Sequence, residues 1–162
     1  MRHAIVIGNT DGIGLGLTRR LLGDGWAVTG LSRRAAAVEH DRYVHVVTDV
    51  AGPGYPADLG RARAATGAVD LCVYAAGVGE LLDVADLGAQ TRAVEVNLLG
   101  LARTVEAVVP PMLAAGRGHL IGLSRLADTM ITPAAPGYAA SKAGMTSYLL
   151  GLGAALRPYG WP

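Results

Sequence analysis

The sequence predicts an α/β fold, a doubly wound parallel sheet of about five strands with helices on both faces. Three observations predict it. Short apolar runs rich in β-branched residues alternate with stretches of helical periodicity. A glycine-rich turn, Gly8-Asn9-Thr10-Asp11-Gly12-Ile13-Gly14, joins the first apolar run to the first helical stretch. The strand candidates are apolar at consecutive positions, as in a sheet covered on both sides.

Taken in order, His3–Ile7 is the first strand, and Ile13–Leu22 the first helix, ended by Gly23 and Gly25. Trp26–Leu31 is the second strand, Tyr43–Thr48 the third, Val69–Ala75 the fourth and His119–Leu123 the fifth. Asp49–Pro56, with its glycines and prolines, reads as a loop. A long helix lies between the fourth and fifth strands. Val94, Leu98, Leu101, Val105, Val108 and Met112 follow its 3.6-residue period, while Arg92, Glu95, Arg103 and Glu106 take another face. The last helix starts near Tyr138 and runs to about Leu156. It carries no charge from Ala143 to Leu156, so one side is predicted to cover the sheet and the other to meet a partner subunit.

The 162 residues suit one domain spanning 1–162. Charged residues make up 17% of the chain, below the roughly 25% of ordinary soluble domains. The net charge is +1 and the arginines are dispersed without interleaved aromatics, which argues against a nucleic-acid surface. The 14 uncharged residues Ala143–Leu156 are too few to span a bilayer. Met1-Arg2-His3 runs directly into a strand pattern with no signal-peptide cleavage region. A cytoplasmic location and no membrane partner are therefore expected. His3, His40, His45 and His119 lack metal-ligand spacing, so no metal is expected. The single cysteine, Cys72, sits in an apolar run and reads as a core thiol.

Two motifs carry chemistry. In the glycine turn the backbone can bend sharply and approach phosphates, and the following helix offers free N–H groups and the positive end of its dipole. That context fits a dinucleotide pyrophosphate. The second motif is Tyr138-Ala-Ala-Ser-Lys142, whose Tyr138 and Lys142 share one helix face. A phenol ionises near pH ~10, so work near neutrality asks for a shift of about three pH units, or about 4 kcal/mol. One ammonium at ~4 Å supplies about 4 kcal/mol at an effective dielectric of 20. Lys142 is thus sufficient to tune Tyr138 as a proton donor and acceptor. Ser32, Arg33 and Arg34 follow the second strand, where an acid would bind ribose hydroxyls and an arginine accommodates a 2′-phosphate.

The spacing Gly-x-x-x-Gly-x-Gly, followed by Tyr-x-x-x-Lys, resembles the short-chain dehydrogenase/reductase family, which has a Rossmann-type fold. The resemblance runs along the whole chain. Asp49-Val50 matches the family's adenine-contacting pair, Ala75-Ala76-Gly77 stands where the family has Asn-Ala-Gly, and Asn97 matches its helix asparagine. It implies catalytic roles for Tyr138, Lys142, Ser124 and Asn97. Lys142 would also hold the nicotinamide ribose, and Asn97 would support a proton-relay water. The implied cofactor is NADP(H), with NAD(H) as the second option, because Arg33 falls at the NADP-selecting position. Asp11 argues the other way, standing where NADP-preferring members often carry a base. Implied partners are a small carbonyl or alcohol substrate and a second copy, in a homodimer or homotetramer.

The pattern breaks twice. The family's catalytic serine usually lies thirteen residues before the tyrosine, where this chain has Arg125. Ser124 is one residue earlier, and an insertion between Leu126 and Pro136 would restore it to the position. After the last helix the family continues with two further strands and a substrate-binding loop, whereas this sequence ends at Pro162. The expected activity is NADP(H)-dependent hydride transfer between a nicotinamide and a carbonyl or alcohol. The alternative is a truncated, inactive dinucleotide-binding module or subunit partner. Extended-type sugar-nucleotide epimerases share the Tyr/Lys pair, but their glycine spacing differs.

Overall fold

A computed structural model describes residues 1–125 and 131–161. Five parallel strands, β1 (His3–Ile7), β2 (Ala27–Ser32), β3 (Tyr43–Val47), β4 (Leu71–Tyr74) and β5 (His119–Gly122), form one sheet in the order β3-β2-β1-β4-β5. The helices are α1 (Gly12–Gly23), α2 (Tyr55–Thr66), α3 (Gly88–Val94), α4 (Gly100–Ala114) and α5 (Pro136–Leu156). A π-helical turn, Glu95–Leu99, joins α3 to α4 without a break.

Alternation along the inner strands makes two cores. Ile5 and Ile7 of β1 face one way, with Leu31, Cys72 and Tyr74, into the larger core beside α2, α4 and α5. Ala4, Val6 and Val28 face the other way against Leu21 and Leu22 of α1. Each fully buried aliphatic side chain contributes about 1.5–3 kcal/mol of transfer energy. The expectation of apolar cover on both faces fails at the two edges: Val44 and Val47 on β3 and Ile121 on β5 are exposed. Element boundaries otherwise fall within two residues of the predicted ones, which is the ordinary fraying of termini.

Two readings are corrected. Asp49–Pro56 is not loop throughout, because α2 begins at Tyr55 with Pro56 in its first turn. This helix was not predicted. Its buried stripe is only Tyr55, Leu59 and Ala62, set among glycines and arginines. The long helix is also not uniform. One extra residue per turn at Glu95–Leu99 frees carbonyls from the ordinary ladder, and the buried Tyr74 hydroxyl donates to the Val96 carbonyl at 2.5 Å. Gly100 makes room, since a Cβ there would overlap the Tyr74 hydroxyl.

The continuous run Gly88–Ala114 spans 27 residues and is long and apolar enough to cross a membrane by composition. Here it is a core element, burying Ala93, Val96, Leu101, Val105, Val108 and Met112. On α5, Leu149, Leu152 and Leu156 pack on the chain's own core, while Tyr148 and Leu150 face outward.

The chain order reverses between β1 and β4. In sheets of this kind the carboxyl ends of the strands at that point open a crevice, and the glycine turn after β1 lies there.

Candidate active site

The glycine turn is held from below. Gly8 N–H donates to the Leu31 carbonyl at 2.8 Å. Gly8 has φ +83°, in the left-handed region, and a Cβ there would overlap the backbone of Ala76. Gly14 packs against the Gly8 carbonyl with no room for a side chain. Asp11 is the N-cap of α1 but makes no capping hydrogen bond, and no acid lies in the first turn. Its carboxylate instead pairs with Arg34 at 2.8 Å. The first N–H groups of α1 therefore have no side-chain partner, and the positive helix end meets an open groove.

That groove, of about 120 Å³, is lined by Gly8, Thr10, Asp11, Ser32, Arg33, Arg34, Asp49, Val50 and Ala75–Gly77, among others. It collects eleven of the eighteen positions expected to bind the cofactor; Asn9, Gly12, Ile13, Gly14, Asn97, Tyr138 and Lys142 do not line it. Asn9 is wholly buried beneath the groove, and Ile13 is exposed on α1. Asp49 is turned by the Ala51 N–H at 3.0 Å and by Arg92 at 2.5 Å. Burial alone would raise its carboxyl pKa, but these donors outweigh burial and leave it lowered. The donors, the turn and Arg33 fit a dinucleotide.

At its far end the groove reaches Gly77 and Val78, which it shares with a second, open cavity of about 440 Å³. Tyr138, Lys142, Gly79, Glu80 and Leu81 line this cavity. Lys142 Nζ donates to the Leu123 carbonyl at 2.6 Å and lies 6.0 Å from the centre of the Tyr138 ring. Burial lowers the Lys142 pKa. Gly79 packs under the Tyr138 ring: a Cβ there would stand 2.5 Å from the ring carbon Cδ2.

Asn97 ties these parts together. It is wholly buried at the π turn. Its Oδ1 accepts from Val78 N–H at 2.8 Å, and its Nδ2 donates to the Val78 carbonyl at 2.9 Å and to Ser141 Oγ at 2.8 Å. Ser141 in turn donates to the Tyr138 carbonyl at 2.8 Å. The side chain is thus occupied in clamping the 77–78 segment to α5, and any relay water would have to use another group of this residue. Asn97→Ala should leave the half-buried Val78 N–H and carbonyl without their side-chain partner, costing about 2–3 kcal/mol. Calorimetric melting should show Tm lowered by roughly 5–10 °C.

Ser124, expected as a catalytic hydroxyl, is engaged on α5. Its hydroxyl donates to the Lys142 carbonyl at 3.0 Å and accepts from Thr146 at 2.8 Å, so its one proton is used on α5. Arg125 holds the position expected of the serine, with its guanidinium 3.2 Å from the Thr132 hydroxyl. The insertion expected between Leu126 and Pro136 falls partly on residues 126–130, outside the described residues. Sequence reasoning gave no site role to Val78, Gly79, Arg92 or Ser141; Gly79, two after Gly77, and Ser141, inside the Tyr138–Lys142 motif, left a visible signal.

A model of the short chain dehydrogenase family matches residues 2–160. The chain belongs to the short-chain dehydrogenase family. It is 32% identical over 161 residues to a 2-dehydro-3-deoxy-L-rhamnonate dehydrogenase (NAD(+)) of Sphingomonas sp. (strain SKA58), covering 94% of this chain and 65% of that protein. Among solved structures, a metagenomic short-chain oxidoreductase in complex with NADP superposes with a TM-score of 0.89 at 28% identity, covering 98% of this chain and 77% of the other. An actinorhodin polyketide ketoreductase with NADPH superposes at 0.86 and 28% identity, covering 98% and 66%. The chain thus spans about two thirds of the length of such short-chain dehydrogenases.

Proposed function

We propose that this short-chain dehydrogenase chain binds NADP(H) in the groove between β1 and β4 and transfers hydride to or from a small carbonyl or alcohol. The supporting observation is continuity. The groove that begins at the uncapped end of α1 ends at Gly77, and a Cβ on Gly77 would stand 3.4 Å from both Lys142 Nζ and Asn97 Oδ1. A dinucleotide laid along it reaches the Tyr138 cavity. The bound nicotinamide would supply or accept the hydride. Tyr138 Oη gives its proton to the carbonyl oxygen in reduction, or takes one from the alcohol in oxidation. Lys142 places a positive charge beside the phenol and favours its ionised form. Asn97 and Ser141 hold α5 at a fixed height against the groove.

The preference for NADP rests on Arg33, exposed on the groove wall. Asp11, the contrary feature, is offset by its ion pair with Arg34. The rhamnonate relative is named for NAD(+), so the two cofactors must be compared directly. Calorimetry should show tighter binding of NADPH than of NADH, and Arg33→Ala should remove most of that difference. Equal affinities in the parent would contradict the assignment.

We further propose that the outward face of the Gly88–Ala114 run and α5, with Leu99, Tyr148 and Leu150 exposed, pairs with a second copy. Leu150→Asp should convert the assembly to monomer in light scattering. A parent that is monomeric at high micromolar concentration would contradict the pairing.

A further inference from the structure

One polar cluster has no part in the proton chemistry. It lies beneath the Ser32–Arg34 turn, against the groove wall. Asn9 extends from the glycine turn over β2, and Gly30 gives it room, since a Cβ there would overlap the Asn9 amide and crowd the Tyr43 hydroxyl. Asn9 Nδ2 donates to Tyr43 Oη at 2.6 Å. An amide nitrogen only donates, so the Tyr43 oxygen accepts there and sends its own proton to His45 Nδ1, at 2.6 Å. A neutral imidazole accepting at Nδ1 carries its proton on Nε2. That nitrogen faces Ser32 Oγ at 3.3 Å. Ser32 donates to the Arg34 carbonyl at 2.8 Å, and Asn9 Oδ1 lies 3.4 Å from the same hydroxyl. Each proton in this chain has one consistent place.

The turn it supports has little else to hold it. Residues 33–40 form neither helix nor strand. Arg34 is paired with Asp11, and Arg33 is exposed at the groove. Burial lowers the His45 pKa, with the Arg34 carbonyl acting in the opposite sense, in keeping with a neutral ring.

We propose that His45 is a positioning residue for cofactor selectivity: with Asn9, Tyr43 and Ser32 it fixes the turn that presents Arg33 to a 2′-phosphate on the adenosine ribose. The inference rests on the dinucleotide reading above.

The test uses the adenosine end alone. Parent, His45→Ala, His45→Gln and His45→Asn are titrated calorimetrically with adenosine 2′,5′-bisphosphate and with 5′-AMP. The Gln variant keeps a donor near Nε2 for Ser32, whereas the Asn variant keeps only a partner for Tyr43. The parent should prefer the bisphosphate. His45→Ala should reduce that preference about tenfold, the value of one well-placed charge-assisted contact, while 5′-AMP binding is retained. His45→Gln should restore the preference better than His45→Asn. Nitrogen-15 shifts of the parent imidazole should report the Nε2–H tautomer. If His45→Ala does not fold, Tyr43→Phe removes the hydroxyl that links Asn9 to His45 and carries the same expectation. Unchanged preference, equal loss of both ligands, or an Nδ1–H tautomer would overturn the role of His45. A parent that binds neither ligand overturns the dinucleotide reading itself, an outcome distinct from a parent and variant that discriminate equally.

Discussion

Tyr138→Phe should lower turnover by about 10²–10⁴-fold, the range that a positioned general acid or base supplies. The substitution keeps the ring that packs on Gly79 and removes only the hydroxyl. Affinity for NADPH should stay within about twofold, because no cofactor contact beyond that hydroxyl is lost and each tenfold in affinity would need about 1.4 kcal/mol. The check is steady-state oxidation of NADPH with a panel of aldehydes and ketones, alongside fluorescence titration of the cofactor. Substantial reductase activity in the Phe variant would remove Tyr138 from the mechanism.

Gly8→Ala should abolish tight cofactor binding while leaving a folded, less stable protein. At φ +83° an alanine is strained, at a cost of roughly 1–2 kcal/mol. Its methyl group would also press on the Ala76 backbone, so the glycine turn and the Ala75–Gly77 wall would be driven apart across the groove. Binding of NADPH should weaken at least about tenfold for each 1.4 kcal/mol so lost. Gly16→Ala is the control. It lies on α1, just after the turn, and a Cβ there meets nothing within 4 Å. Equal cofactor affinity in the two variants would contradict the tight-approach account of the turn.

What could be read from the sequence was what depends on neighbours in the chain. The glycine turn, the Tyr138–Lys142 face and the five strands are local patterns, and each stands within two residues of its predicted place. What could not be read depends on partners far away in sequence. The π turn at Asn97 requires Tyr74 on β4 and the missing side chain of Gly100. Asp49 is turned by Arg92, 43 positions away, with no spacing rule to reveal the pair. The orientation of Ser124 is decided by Thr146 and the Lys142 carbonyl on α5, which no motif records. Helix α2 went unseen because its apolar stripe is three residues wide and interrupted by arginines. The uncharged stretch of α5 correctly marked an apolar helix. Which of its leucines face inward follows only from where the sheet lies, and Leu149 and Leu152 prove to be core.

The central claim is that a dinucleotide lies along the groove from α1 to Gly77. Its most direct test is a titration of nitrogen-15-labelled protein with NADP⁺, followed by amide chemical shifts. Saturable shifts should appear at Gly8, Thr10 to Gly14, Arg33, Asp49, Val50 and Ala75 to Gly77, with the residues lining the small cavity by Arg63 and Met112 unmoved. Shifts confined to other surfaces, or none up to millimolar NADP⁺, would contradict it.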